Sequence, residues 1–244
     1  IFAKADLLNF VIARSQLTGL PMDRIGGSAQ AFDHLYLPRL HRAGWVAPAF
    51  ASGMAGDSPG GFVMGSAPGL YSNVLILDFK SLYPSIIRSF LIDPLGLITG
   101  AEQQDAVAGF KGASFSRQDA ILPTIIATLW QARDQAKAAQ NTPLSTSIKI
   151  VMNACYGVLG SNKCRFYDQR LASSITQRGH AILKQTKVLI EAQGYQVIYG
   201  DTDSVFVWLG DDQISVARAH TTGQSLAAVL NSWWREHLQT EYKL

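Results

Sequence analysis

The 244-residue chain is poor in charge. Asp, Glu, Lys and Arg make up only 16% of it, against about a quarter in an average soluble domain. Together with 48% hydrophobic residues, that poverty excludes intrinsic disorder, which needs the opposite balance. Cysteine is scarce as well. Cys155 and Cys164 are too few for a zinc site of their own or for a disulfide framework. No charged segment followed by an apolar one opens the sequence, so a reducing, cytoplasmic setting is expected. No apolar run approaches the ~18 residues of a membrane span; Tyr71–Asp78, the best apolar stretch, has only the length of a strand. An initial Met is missing too, and Leu244 falls inside a helix-like pattern, so the sequence reads as a piece of a longer chain. Its length predicts one or two domains.

What charge there is lies unevenly. Residues 131–190 hold nine Lys or Arg (Arg133, Lys137, Lys149, Lys163, Arg165, Arg170, Arg178, Lys184, Lys187) and two acids, Asp134 and Asp168. That window is +7 within a chain of net charge +3, so the remainder is about −4. A basic block of this kind suits a polyanionic partner, and it equally suits a solvated helical face.

Periodicity predicts an amphipathic helix over 5–18 with Leu7, Leu8, Val11 and Ile12 on one side and Gly19 as its stop, and a second from a Ser28 cap to Arg42, broken or kinked near Pro38. Residues 47–69 read as a Gly/Pro/Ser-rich surface connector, too poor in large apolar residues to be core. Tyr71–Asp78 is apolar on both faces and predicts a central strand covered on both sides. Helices are expected over 120–140 and 143–159, folded back on each other at Thr142-Pro143, and over 170–193. Two strands, Tyr195–Tyr199 and Ser204–Leu209, flank a turn, and a last helix covers about 222–240. The fold class this predicts is α+β.

Three features bear on chemistry. Asp201 and Asp203 crowd a tight turn between apolar strands, where like charges repel unless a cation sits there. An Asp-bearing hairpin turn also arises for purely conformational reasons. Asp78 closes the first strand, a place where a sheet fixes a carboxylate and a loop exposes it. Folded together, the three acids suit magnesium, which prefers hard oxygen ligands shared with phosphates. Finally, Arg133 and Lys137 share a helix face at i, i+4, and Lys149, Asn153 and Tyr156 share one on the next helix. That pair of faces can clamp a triphosphate or simply be solvated.

The segments Asp78-Phe79-Lys80-Ser81-Leu82-Tyr83-Pro84-Ser85-Ile86-Ile87, Lys149-Ile150-Val151-Met152-Asn153-Ala154-Cys155-Tyr156-Gly157 and Tyr199-Gly200-Asp201-Thr202-Asp203-Ser204 resemble, in order, the three signature motifs of family B DNA polymerases. The flanking text, such as Leu91-Ile92-Asp93-Pro94 and Arg170-Leu171-Ala172-Ser173-Ser174-Ile175-Thr176, is similar to the bacterial DNA polymerase II branch. The resemblance covers nearly the whole chain from about residue 5.

It implies a polymerase palm with an antiparallel sheet and packed helices, and a helical-hairpin fingers subdomain. Residues 1–49 would be a helical lead-in, 50–119 and 161–244 the two parts of the palm, and 120–160 the fingers. The family's exonuclease and thumb regions fall outside the chain. The implied reaction is template-directed transfer of deoxynucleoside triphosphates to a primer 3′-OH, assisted by two Mg²⁺ ions, with Mn²⁺ able to substitute. The metal set would be Asp78, Asp201 and the Phe79 carbonyl, and the catalytic set Asp78, Asp201, Asp203 and Lys149. Phe79, Ser81, Leu82, Tyr83, Arg133, Lys137, Lys149 and Asn153 would hold the nucleotide, with Tyr83 excluding a 2′-OH. Gly60, Gly61, Tyr156, Gly157 and Thr202 would meet template or primer. Implied partners are primer–template DNA, deoxynucleotides and, through regions outside the chain, a sliding clamp, with no membrane; the implied location is the bacterial cytoplasm, at the nucleoid. Two alternatives stay open at this point: a piece that only binds primer–template, and another two-metal carboxylate enzyme such as a nucleotidyl cyclase.

Overall fold

The computed structural model describes residues 6–24, 26–50, 60–210 and 213–243. In chain order its elements are α1 (Leu7–Thr18), α2 (Ser28–Arg42), β1 (Val74–Asp78), α3 (Leu82–Ser89), α4 (Pro94–Thr99), β2 (Val107–Ala108), β3 (Ser114–Phe115), α5 (Ile121–Ala138), α6 (Thr142–Leu159), α7 (Gln169–Ala192), β4 (Gln196–Asp201), β5 (Ser204–Trp208) and α8 (Val216–Tyr242). Helices and small antiparallel sheets make the fold α+β. The chain divides into two compact units, one of residues 1–58 and 83–175, the other of 59–82 and 176–244.

The first unit is mainly helical. α5 and α6 pack as a hairpin, and α1 and α2 pack on α6. The break comes where sequence reading puts it: Pro143 sits in the first turn of α6, and the Asn141 side chain accepts from the Leu144 N–H to cap it. Ile148, Met152 and Leu159 form the buried stripe of α6, and Leu122 and Ile126 that of α5. A buried carboxylate ties three helices together. Asp93 caps α4 through the Gly96 N–H, accepts from the Tyr36 hydroxyl of α2 at 2.9 Å, and accepts from the Leu122 N–H in the first turn of α5.

Several sequence expectations need correction here. α1 is not an amphipathic core helix: Leu8 is exposed, and the residues it buries are Arg14 and Thr18. Ser28 is the first helical residue of α2 and not its cap; the cap position is Gly27 and makes no side-chain bond. Pro38 lies inside α2 without breaking it. Sequence reading also overlooked α4 and the short β2–β3 hairpin.

The second unit is a three-stranded antiparallel sheet in the order β1-β5-β4, backed by α7 and α8. Val197, Val205 and Val207 face Leu183 and Ile190 of α7 and Leu230 of α8, with Leu75 and Leu77 at the margin. β1 is therefore an edge strand and not a central one, and its apolar Ile76 is 60% exposed on the other face. An all-apolar run is buried on both faces only when layers pack on both sides of its sheet. The connector also departs from a plain surface loop. Residues 51–59, Pro59 included, lie outside the described residues, but the segment from Gly60 runs along β4 as a strap. Met64 N–H donates to Gly200 O and Ala67 N–H to Ile198 O, both at 2.8 Å, and Met64 is buried in the core.

Candidate functional site

The sheet sets the geometry of the three acids. Asp78 pairs with Ser204, and Ser204 pairs with Asp201 on its other side. Directly paired residues project to the same face. Asp78, Ser204 and Asp201 thus form one transverse row across β1, β5 and β4. A β-bulge makes this possible. The β4–β5 register shifts between Val197 and Tyr199, so Ile198 is an extra residue. Because side chains alternate, one residue fewer would turn Asp201 toward the core. With the bulge, Tyr199 and Asp201 share the face of Phe206, Ile76 and Asp78.

The turn itself is tightly tied. Thr202 takes a left-handed φ of 53°, which a β-branched residue adopts only when its surroundings impose it. Its N–H donates to Phe62 O of the strap at 2.8 Å, and its hydroxyl donates to Asp201 Oδ1 at 2.7 Å. Gly61 lies against it: a Cβ there would fall 2.4 Å from Thr202 Oγ1, so only glycine lets the strap approach this closely. Phe79 N–H donates to Asp203 O at 2.8 Å and pins the turn to the end of β1. The Ser204 hydroxyl lies 3.0 Å from Asp78 Oδ2 and 3.4 Å from Asp203 Oδ1, and its single proton serves one carboxylate at a time.

The electrostatics follow. Partial burial pushes the Asp203 carboxyl above the ordinary carboxylate range; the Asp78 charge adds to the shift, and the Asp201 charge adds a smaller share. Among the described residues no group of three or more His, Cys, Asp or Glu side chains stands in metal-ligand geometry. The acids are crowded but are bridged by hydroxyls. That crowding of like charge is nonetheless what a divalent ion relieves, so the residues fit one.

The other sequence-derived residues sit as follows. Ser81 has a φ of 51°, and Leu82, buried, opens α3. In the first unit, the Tyr83 ring packs on Tyr156 with centroids 4.6 Å apart. Arg133, half-buried, and Lys137, exposed, project from α5; Lys149 and Asn153 are exposed on α6. A Cβ at Gly157 or Gly60 would meet nothing within 4 Å, so neither glycine is required by its protein neighbours. Both cysteines are buried and free, and burial pushes the Cys155 thiol up to about 12. Sequence reasoning missed the bridging role of Ser204, although it is the next residue after Asp203. It also missed the strap residues Phe62 and Met64, which carry no local signal.

Comparison with known proteins gives the family. The model of a family described as DNA polymerase family B matches residues 25–243. Over 244 residues the chain is 56% identical to DNA polymerase II of Escherichia coli, covering 99% of this chain and 31% of that protein. It is 28% identical over 221 residues to the DNA polymerase alpha catalytic subunit of Mus musculus, covering 82% of this chain and 14% of that one. The solved family B DNA polymerase of the archaeon Pyrobaculum calidifontis superposes with a TM-score of 0.66 at 29% identity, over 84% of this chain and 29% of that chain. The chain thus spans less than a third of the length of these relatives. A sequence match of that extent, joined to a shared fold, means that the chain belongs to DNA polymerase family B.

Proposed function

We propose that this chain carries the synthetic centre of a template-directed DNA polymerase, adding deoxynucleotides to a primer 3′-OH. The observation that carries the reading is the row of Asp78, Ser204 and Asp201 across three strands, with Asp203 beside it in the turn. Asp78, Asp201 and the Phe79 carbonyl would hold two Mg²⁺ ions, which Mn²⁺ can replace. Bound there, such ions supply Lewis acidity to the attacking hydroxyl and to the phosphates. The chain's own residues do the rest. Asp203, whose carboxyl burial and the Asp78 charge push above the ordinary range, would add a third negative charge beside the ions. Arg133, Lys137 and Lys149 would grip the triphosphate and offset charge as pyrophosphate departs, Arg133 by its forked donors and the lysines as point charges. Asn153, Ser81 and Leu82 would line the nucleotide's seat. The Tyr83 ring, backed by Tyr156, would fill the space of a 2′-OH and so select deoxyribose. Gly60, Gly61, Gly157 and Thr202 would lie along template and primer.

In this reading the α5–α6 hairpin, residues 120–160, is the fingers; 50–119 and 161–244 make the palm; and 1–49 is a helical lead-in. Primer–template DNA and deoxynucleotides are the partners, with a sliding clamp reached through other parts of the polymerase. The bacterial cytoplasm, at the nucleoid, is the place of action. Among the described residues no helix is long and apolar enough to cross a membrane.

Primer extension by the complete polymerase tests the reading. Asp201→Asn is expected to lower incorporation at least about a hundredfold while primer–template binding persists. Normal incorporation by that variant would end the proposal, and nucleotide addition without template would favour the cyclase-like alternative.

A further inference from the structure

The acid turn joins β4 to β5 and is pinned to β1 by Phe79 on one side and to the strap on the other. The strap in turn is bonded to β4 and, at its start, to α7. On α7, His180 Nε2 lies 2.8 Å from the Gly60 carbonyl oxygen, a contact that spans 120 positions of sequence. A carbonyl oxygen only accepts, so His180 donates, and both its neutral Nε2–H form and its imidazolium satisfy that bond. The same imidazole leans on Phe62, with centroids 5.2 Å apart, and Lys184, one turn further along, sets its ammonium 5.0 Å from the centre of the Phe62 ring. Phe62 O then receives the Thr202 N–H, Gly61 abuts the Thr202 hydroxyl, and that hydroxyl donates to Asp201. Val63 bridges Asp201 itself. The path from α7 to the carboxylate is therefore continuous, and α7 is anchored by the buried Leu183 and Ile190.

We infer that His180 is a positioning residue for the acid turn: by fixing the strap at Gly60 it holds Thr202 in its left-handed conformation and Asp201 on the Asp78 face. The inference rests on the polymerase reading of that site. His180 touches no reacting atom in this role. Its contribution is to keep the carboxylates placed before substrate arrives, which favours turnover more than nucleotide affinity.

The test compares His180→Phe, which keeps a ring against Phe62 but has no donor, with His180→Gln, which keeps a donor. Both are made in the complete polymerase, with His180→Met as a second donor-free variant should the phenylalanine variant fail to fold. Two quantities are read: single-nucleotide incorporation, split into kcat and KM, and Mn²⁺ binding followed by the electron paramagnetic resonance of the free ion. His180→Phe is expected to lower kcat about tenfold, the effect of about one hydrogen bond, with KM for the deoxynucleotide unchanged. Mn²⁺ affinity is expected to fall by several-fold, and His180→Gln to stay within about twofold of the unsubstituted protein in both readouts. Equal loss in the phenylalanine and glutamine variants, or unchanged kcat and Mn²⁺ affinity in a donor-free one, would overturn the inference. So would a loss confined to primer–template affinity. If the unsubstituted polymerase incorporates nothing although it binds Mn²⁺, the polymerase reading itself falls and this role falls with it.

Discussion

Asp78, Asp201 and Asp203 are individually ordinary carboxylates placed where their charges repel. The sign of the consequence is definite for Asp203. Its carboxyl binds a proton more tightly in the fold than in the unfolded chain, because burial and the Asp78 charge disfavour ionisation. Its contribution to stability is therefore fully present at pH values below the ordinary carboxylate range, and it is lost as the pH rises through its own elevated value. Asp203→Asn should raise the melting temperature of the metal-free protein slightly at neutral pH, measured by calorimetry in EDTA, because the group is only partly buried and water screens part of its repulsion. The same substitution should reduce metal-dependent incorporation. An unchanged or lower melting temperature would show that the Ser204 hydrogen bond outweighs the repulsion.

The elements carry information that single residues do not. Without the bulge at Ile198, β4 would turn Asp201 to the core face, the face of Val197 and Val205, and break the row. The α4–α5 junction depends on Asp93 in a comparable way. Burial raises its carboxyl to about 6, although Tyr36 and the Gly96 and Leu122 N–H groups all favour its charged form. A raised carboxyl stabilises the fold fully below the unfolded value near 4, and that stabilisation is lost between there and about 6. The difference in unfolding free energy between the protein and Asp93→Asn should therefore shrink as pH rises from about 4 to 7, as urea titrations would show. Truncation to Asp93→Ala strands three donors and should destabilise by about 3 kcal/mol or more at any pH.

These same elements show how far the sequence was legible. The long helices α5, α6 and α7 could be read within one or two residues, because their apolar stripes repeat at helical spacing and Pro143 and Gly194 punctuate them. Asp78 at a strand end and an acid-bearing hairpin were legible for the same local reasons, although β4 runs on to end at Asp201 itself, not at Tyr199. The edge position of β1 was not, because which strand flanks which is decided by contacts far apart in sequence. Nor were the buried Asp93 junction or the bond from His180 to Gly60, whose partners lie dozens of residues away, nor the bulge, which shifts the register without a local residue signal. The hairpin of Val107–Ala108 with Ser114–Phe115 is too short to leave a period.

At the scale of the whole molecule, the basic window from 131 to 190 is less free than its formal charge. Arg165 pairs with Asp33 at 3.1 Å, Arg170 with Asp168 at 2.8 Å, and Lys187 lies 3.7 Å from Glu191. Arg178 donates to the Tyr242 hydroxyl at 2.7 Å. Fewer cations than nine remain to displace counterions from DNA. With about four phosphate contacts, primer–template affinity should fall about a hundredfold between 50 and 200 mM salt, read by fluorescence anisotropy. Arg170→Gln should leave that slope unchanged, because the guanidinium is already committed to Asp168.

The second unit is assembled from two stretches of sequence separated by the bulk of the first. During synthesis, β1 leaves the ribosome with Leu75, Ile76 and Leu77 already made, while Ser204, which pairs with Asp78, lies 126 residues downstream. At the usual pace of translation that interval is roughly ten seconds. For all of it the nascent strand must stay sheltered or solvated without its neighbour, a window in which chaperones or mispairing compete for it. The acid centre closes only once β5, through Trp208, has emerged.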